Sequence, residues 1–107
     1  MRAFCKQLPA TDEAQEAARQ LRRAGNSVRN NYRAARKARS RPVFEDKLGV
    51  AAEEADECVD WLEYLRDTGI APNTALLEEA NQITSILSAS LKTSRANTAR
   101  MKQFPRS

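Results

Sequence analysis

The sequence predicts an all-α protein, an antiparallel up-down helical bundle of four helices with a short or truncated first one. Three observations predict it. Ala, Leu, Arg and Glu are abundant, and all four favour helix. Gly (3) and Pro (4) are too scarce for a turn-rich β chain. Along three long segments apolar residues recur at alternating steps of four and three, the spacing of one helical face. A chain of 107 residues accommodates one domain, with a small core and modest stability. We place that domain at residues 1–98 and read 99–107 as a basic, flexible tail.

The chain opens on a stub, residues 1–8, whose apolar members are Phe4, Cys5 and Leu8; Pro9 closes it. Eight residues make about 12 Å of helix, against roughly 37 Å for 25 residues. The stub therefore cannot cover the seams of three long helices. An apolar groove is expected, to be closed by a partner chain unless the natural chain begins further upstream.

The next helix starts at Thr11-Asp12-Glu13, with Thr11 as cap and the two acids at the positive end of the helix dipole. Its seam is Ala14, Ala18, Leu21, Gly25, Val28, Tyr32 and Ala35, with Ala17, Ala24 and Ala38 beside it, small enough to let a neighbour approach closely. Gly25 in mid-helix costs about 1 kcal/mol relative to Ala, which points to a packing reason for it. Ser40-Arg41-Pro42 ends this helix and starts the next, because Pro in a first turn loses no hydrogen bond. The seam resumes with Phe44, Leu48, Ala51, Ala55, Cys58, Leu62 and Leu65, and Gly69 is placed to be the left-handed cap with Ile70 as its hydrophobic partner. So short a link makes the two helices antiparallel neighbours. Pro72-Asn73-Thr74 opens the last helix, with Asn73 or Thr74 as cap. Its apolar residues are Leu76, Leu77, Ala80, Ile83, Ile86, Leu87 and Leu91, after which the pattern fades into a basic segment.

Charge is laid out in blocks. Residues 1–41 hold eleven Lys/Arg against three Asp/Glu, a net +8; residues 42–80 hold two against eleven, a net −9; residues 81–107 hold five against none, a net +5. The layout has two readings: neighbouring helices pair opposite charges along their flanks, or the basic segments leave a field for a polyanion. An antiparallel pairing through Ser40 sets Arg29 level with Glu53 and Glu54, and Arg22 near Glu57. Arg23, Lys37, Arg39 and Arg41 are harder to neutralise within one chain. With Arg19 and Arg33 they form the candidate nucleic-acid surface. The third helix carries apolar residues off its seam, Val43, Val50, Val59, Trp61 and Tyr64, which are the candidate oligomer interface, since Trp and Tyr favour such positions.

Enzymatic classes fare badly. The chain has no His, which removes the commonest general base and neutral metal ligand. Glu53, Glu54, Asp56, Glu57, Asp60 and Glu63 are dense enough to suggest a divalent cation, but di-metal bundles combine Glu with Glu-x-x-His, so a solvated acidic face is the better reading. No catalytic residue, metal or cofactor is expected. Cys5 and Cys58, 53 positions apart, form no zinc motif and read as buried thiols in a reducing cytoplasm. No signal peptide or spanning segment is visible.

Residues 21–36 (LRRAGNSVRNNYRAAR) form a pattern that continues through Ala38-Arg39-Ser40, Phe44, Lys47-Leu48-Gly49, Glu53-Glu54-Ala55-Asp56-Glu57 and Trp61-Leu62-Glu63, then Lys92-Thr93-Ser94-Arg95. Over roughly residues 4–95 it resembles the bacterial four-helix-bundle proteins first noticed as reading frames in intervening sequences of 23S rRNA genes. The resemblance implies an up-down-up-down bundle assembled as a homopentamer. Related accessory variability proteins of diversity-generating retroelements form basic pentameric barrels that bind nucleic acid and a reverse transcriptase, which by analogy makes both expected partners. Two features depart from the pattern. Only Leu8-Pro9 stands for the end of a full first helix, and the acidic middle is unlike a barrel basic all round. The expected function is a non-enzymatic, cytoplasmic homo-oligomer that binds RNA or another polyanion. The alternative is an interaction scaffold with no nucleic-acid role.

Overall fold

The computed structural model describes residues 1–103, and among them every regular element is an α-helix: α1 Arg2–Lys6, α2 Asp12–Arg36, α3 Arg41–Asp67 and α4 Thr74–Gln103. The three long helices run up, down and up. Their starts are set locally. Thr11 Oγ1 accepts from the Ala14 N–H at 3.2 Å, Ser40 Oγ from the Val43 N–H at 3.3 Å and Asn73 Oδ1 from the Leu76 N–H at 3.0 Å. Each occupies one of the donors a helix start leaves unpaired. α3 ends where Gly69 takes φ +74°, a left-handed geometry that costs a side chain energy. Its N–H donates to Arg66 O, and Ile70 packs on the core.

α3 is the central helix. α2 and α4 flank it, and their backbones do not approach one another. The result is an elongated body of 62 × 21 × 17 Å. Its two ends are the turn end, where α2 passes into α3, and the loop end, where α1 and the α3–α4 connection lie. Two buried clusters divide the length. The larger surrounds Leu21 and Leu65 at the loop end and includes Cys5 and Leu8; the smaller surrounds Leu48, Leu87 and Leu91 toward the turn end.

The α3 seam is buried as its spacing predicts, with Phe44 half-buried. The α2 seam behaves differently. Ala14, Ala18, Leu21 and Ala35 are buried, but Gly25 and Val28 are half-buried and Tyr32 is 46% exposed. Ala17 and Ala24, placed beside the seam from sequence, are fully buried instead. The contact face of α2 is thus rotated toward Ala17 and Ala24, and part of its heptad stripe faces an open groove. α4 remains helical to Gln103, beyond the domain edge drawn at residue 98. The remainder of the expected tail, residues 104–107, lies outside the described residues.

Candidate nucleic-acid interface

Folding rearranges the charge blocks. Because the long helices are antiparallel, the basic second half of α2 and the basic second half of α4 arrive at the same end. Residues 29–50 and 89–103, which make the turn end, hold eleven Lys/Arg against two Asp/Glu, a net +9. Residues 1–28 and 51–88, which make the loop end, hold six against twelve, a net −6. The basic–acidic–basic sequence becomes a rod with one positive and one negative end.

At the turn end lies an open pocket of about 850 Å³. Arg36, Arg39 and Arg41 line it together with Ser40 and, from α4, Ser90, Thr93, Ser94 and Asn97; no carboxylate does. The α2–α3 turn positions the arginines, and α3 begins there with Ser40 as cap. α4 is tied to this corner by Glu45, which accepts from Ser94 Oγ at 2.8 Å and Thr98 Oγ1 at 3.0 Å. The Ser94 hydroxyl above all holds the Glu45 carboxyl below its ordinary range, with Thr98, Arg41 and Arg95 adding to the effect against partial desolvation. Arg41 Nη1 approaches Ser94 O at 3.4 Å. Guanidinium forks beside hydroxyl and amide donors are the group set that grips phosphate oxygens.

Six residues were expected to form this surface. Arg39 and Arg41 line the pocket, whereas Arg33, in the last turn of α2, and Lys37, its C-cap, are exposed but outside the lining. Arg19 and Arg23 belong elsewhere. Arg19 pairs with Glu16 on its own helix. Arg23 reaches α3, with Nη1 3.2 Å from Glu54 Oε2 and Nη2 2.5 Å from Glu57 Oε1. The expectation that Arg23 would be hard to neutralise is therefore corrected, as is the pairing of Arg22 with Glu57 and Arg29 with Glu54. The cause is the rotation of α2 toward Ala17 and Ala24, which carries Arg23 to the α3 side and leaves Arg22 and Arg29 facing the groove. The Glu57 carboxyl is held below its usual range, chiefly by its hydrogen bond from Arg23. Sequence reasoning missed Arg36 and also the α4 hydroxyls, which carry no charge signal.

The apolar candidates on α3 do not form one patch. Val59 is 5% exposed, a member of the larger core cluster and closed off from any partner. Trp61 and Tyr64 are half-buried, packed on that cluster and on each other edge-to-face with ring centroids 5.7 Å apart. The Tyr64 hydroxyl donates to Glu13 Oε1. Val50 is half-buried, and Val43 is 46% exposed at the turn end. A monomer thus uses most of these residues to hold α2, α3 and α4 together. The larger open apolar surface is the groove between α2 and α4.

Both thiols are buried and free. Burial, above all, pushes Cys58 up to about 11, with Glu54 and Glu57 adding to the effect. Among the described residues no group of three or more Cys, Asp or Glu side chains could hold a metal ion, and no helix is long and apolar enough to cross a membrane.

A family model described as 23S rRNA-intervening sequence protein matches residues 1–89. No curated protein and no solved structure matches the chain.

Proposed function

This chain belongs to the 23S rRNA-intervening sequence protein family, and from that premise we propose that it is a non-catalytic, self-associating bundle that binds RNA phosphates through its turn end. The observation that carries the reading is the +9 concentration of charge around a pocket lined by Arg36, Arg39 and Arg41 without a carboxylate. A field of one sign over a concave surface attracts a polyanion irrespective of its sequence. The described turn end offers Tyr32 and Phe44 as its aromatics, too few to stack a run of bases, so recognition is of backbone rather than of sequence. Self-association, with five subunits the number the resemblance implies, multiplies the basic ends and raises the effective concentration for a single RNA.

A mobility-shift titration of single-stranded RNA across salt tests this reading. Five phosphate contacts would give a slope of about −3.5 for log K against log salt. Charge reversal of Arg39 and Arg41 together should weaken binding at low salt by at least about tenfold, since each removes a phosphate contact, while the melting temperature holds. No shift at about 20 mM salt would defeat the proposal, because phosphate contacts are strongest there. Sedimentation addresses assembly separately, and a folded monomer at micromolar concentration would remove that part.

A second reading has an observation of its own. The pairs Arg19–Glu16 and Arg23–Glu54/Glu57 occupy arginines with acids of the same chain, as an interaction scaffold with no nucleic-acid role would. That reading predicts no RNA binding at any salt.

A further inference from the structure

We propose that the end of α4, residues 92–103, is an RNA-binding arm, and that Glu45 is the residue that positions it against the turn end. This rests on the RNA reading given above and adds to it a second contact surface and the side chain that holds it in place.

Leu91 is the last buried residue of α4 among those described. Beyond it, as far as Lys102, the residues shielded even in part are Ser94, Asn97 and Thr98, all polar. Ala96 and Ala99 are exposed and Met101 is 62% exposed, so apolar packing does not hold this segment. Propensity does little more, because about a dozen residues of helix are marginal in water without tertiary contacts. Charge opposes its approach to the turn end. Lys92, Arg95, Arg100 and Lys102 are exposed, and residues 81–107 contain no acid. These four cations are spread over about 15 Å of helix axis.

A polar clasp from the start of α3 holds the arm instead. Ser94 and Thr98 stand about one turn apart on α4, and both hydroxyls donate to one carboxylate oxygen, Glu45 Oε1, at 2.8 and 3.0 Å. The Thr98 proton is shared with Ser94 O, also 3.0 Å away, so the Ser94 bond is the firmer of the two. Arg41 Nη1 adds a longer contact to Ser94 O at 3.4 Å. The carboxylate lies in the fields of Arg41 on α3 and Arg95 on α4 and offsets the repulsion between them. This corner is built from α3 and α4 alone.

Glu45 stands where a carboxylate is least helpful to an anion. With Asp46 it is one of two acids among the residues that make the turn end, and its charge weakens the field that attracts phosphate. Its two effects therefore have opposite signs. A residue that contributed charge alone would, on removal, strengthen RNA binding. A positioning residue, on losing both hydrogen bonds, releases Arg95, Arg100 and Lys102 from the common surface and weakens binding although the net charge rises.

The experiment titrates single-stranded RNA against the full chain across salt and follows amide exchange along α4. Glu45→Gln keeps an acceptor oxygen for both hydroxyls and loses the charge. It should bind RNA at least as tightly as the wild type, with the arm still protected. Glu45→Ala should speed exchange beyond Ser94. It should also weaken binding by at least about tenfold at about 0.1 M salt and make the slope of log K against log salt shallower by about 2, the share of three phosphate contacts. Ser94→Ala with Thr98→Ala should act in the same direction while Glu45 keeps its charge. Ala favours helix more than Ser or Thr, so faster exchange in that variant reports the lost clasp. Glu45→Ala that binds as tightly as Glu45→Gln with an unaltered slope overturns the proposal and leaves the RNA reading standing. Unaltered exchange along the arm does the same. A wild type that binds no RNA at about 20 mM salt, where phosphate contacts are strongest, overturns both, and faster exchange in Glu45→Ala would then show a clasp without that ligand.

Discussion

At the loop end of the rod thirteen buried residues drawn from α1, the chain after it and all three long helices close around Leu21 and Leu65, while six close around Leu48 toward the turn end. The loop end bears a net −6, the turn end a net +9. Arg23, at the inner margin of the loop end, is matched by Glu54 and Glu57, whereas Arg36, Arg39 and Arg41 surround a pocket without a carboxylate. Burial and charge are thus divided along one axis. The end that contributes most apolar burial also holds Arg19, Arg23 and Arg66 in ion pairs, and the end with the thinner core carries the unbalanced field. Like charges oppose compaction, so the thinner end is expected to open first and to respond most to salt and to anions.

Core truncation at each end probes that division with the largest expected effect. Leu65→Ala should cost about 3–5 kcal/mol, because the residue is fully buried in the larger cluster and leaves a cavity; Leu48→Ala should cost about 2–3 kcal/mol, where fewer neighbours surround it. Urea denaturation measures both, and equal losses would break the contrast.

Alkaline titration comes next. Burial raises the Cys58 thiol to about 11 from an ordinary 9.0. Below pH 9 the thiol is protonated in both folded and unfolded chains and stability is unaffected. Above it the unfolded chain releases a proton that the folded one retains, so stability falls as pH rises toward 11, by about 2–3 kcal/mol. Cys58→Ala should remove the larger part of that fall, the rest belonging to Cys5, whose thiol burial also raises, and a wild type whose denaturation midpoint is flat from pH 9 to 11 would place the thiols nearer water.

Hydrogen exchange at two ionic strengths sharpens the comparison further. Raising salt to about 0.5 M shortens the screening length to about 4 Å. Amides in the last turns of α2 and the first turns of α3 should then open less often, by about 0.5–1 kcal/mol, while those around Leu65 stay unchanged. Uniform slowing along the rod would mean that the charge division has no local energetic consequence. Gly69→Ala, at φ +74°, should cost about 1 kcal/mol through its left-handed backbone alone, read as a small drop in melting temperature. Smallest is Arg23→Gln, whose exposed ion pairs should contribute little; its mark is a slight loss of stability with RNA affinity retained, the opposite of the pattern expected for Arg39→Gln.

The chain-local features were legible in the sequence because each depends on a few neighbouring residues. Thr11, Ser40 and Asn73 cap the helices they precede, Gly69 ends α3, and the four–three spacing on α3 marks its buried face. A heptad names the residues that share a stripe, but it leaves open how far a helix turns about its own axis when one of its neighbours is short. That rotation, set by α2 settling on Ala17 and Ala24 against α3, moved Arg23 to Glu54 and Glu57 and left Arg22 and Arg29 on the groove. Burial of Val59, and the gathering of Arg36 with α4 hydroxyls from more than fifty positions away, were likewise decided only when the helices packed. The sequence by itself determined the three long helices, their capped starts and the total charge, because those follow from local bonding and composition. The tertiary structure alone decided where that charge lies and which apolar residues remain open, because both depend on which end and which side of a helix meets its neighbours.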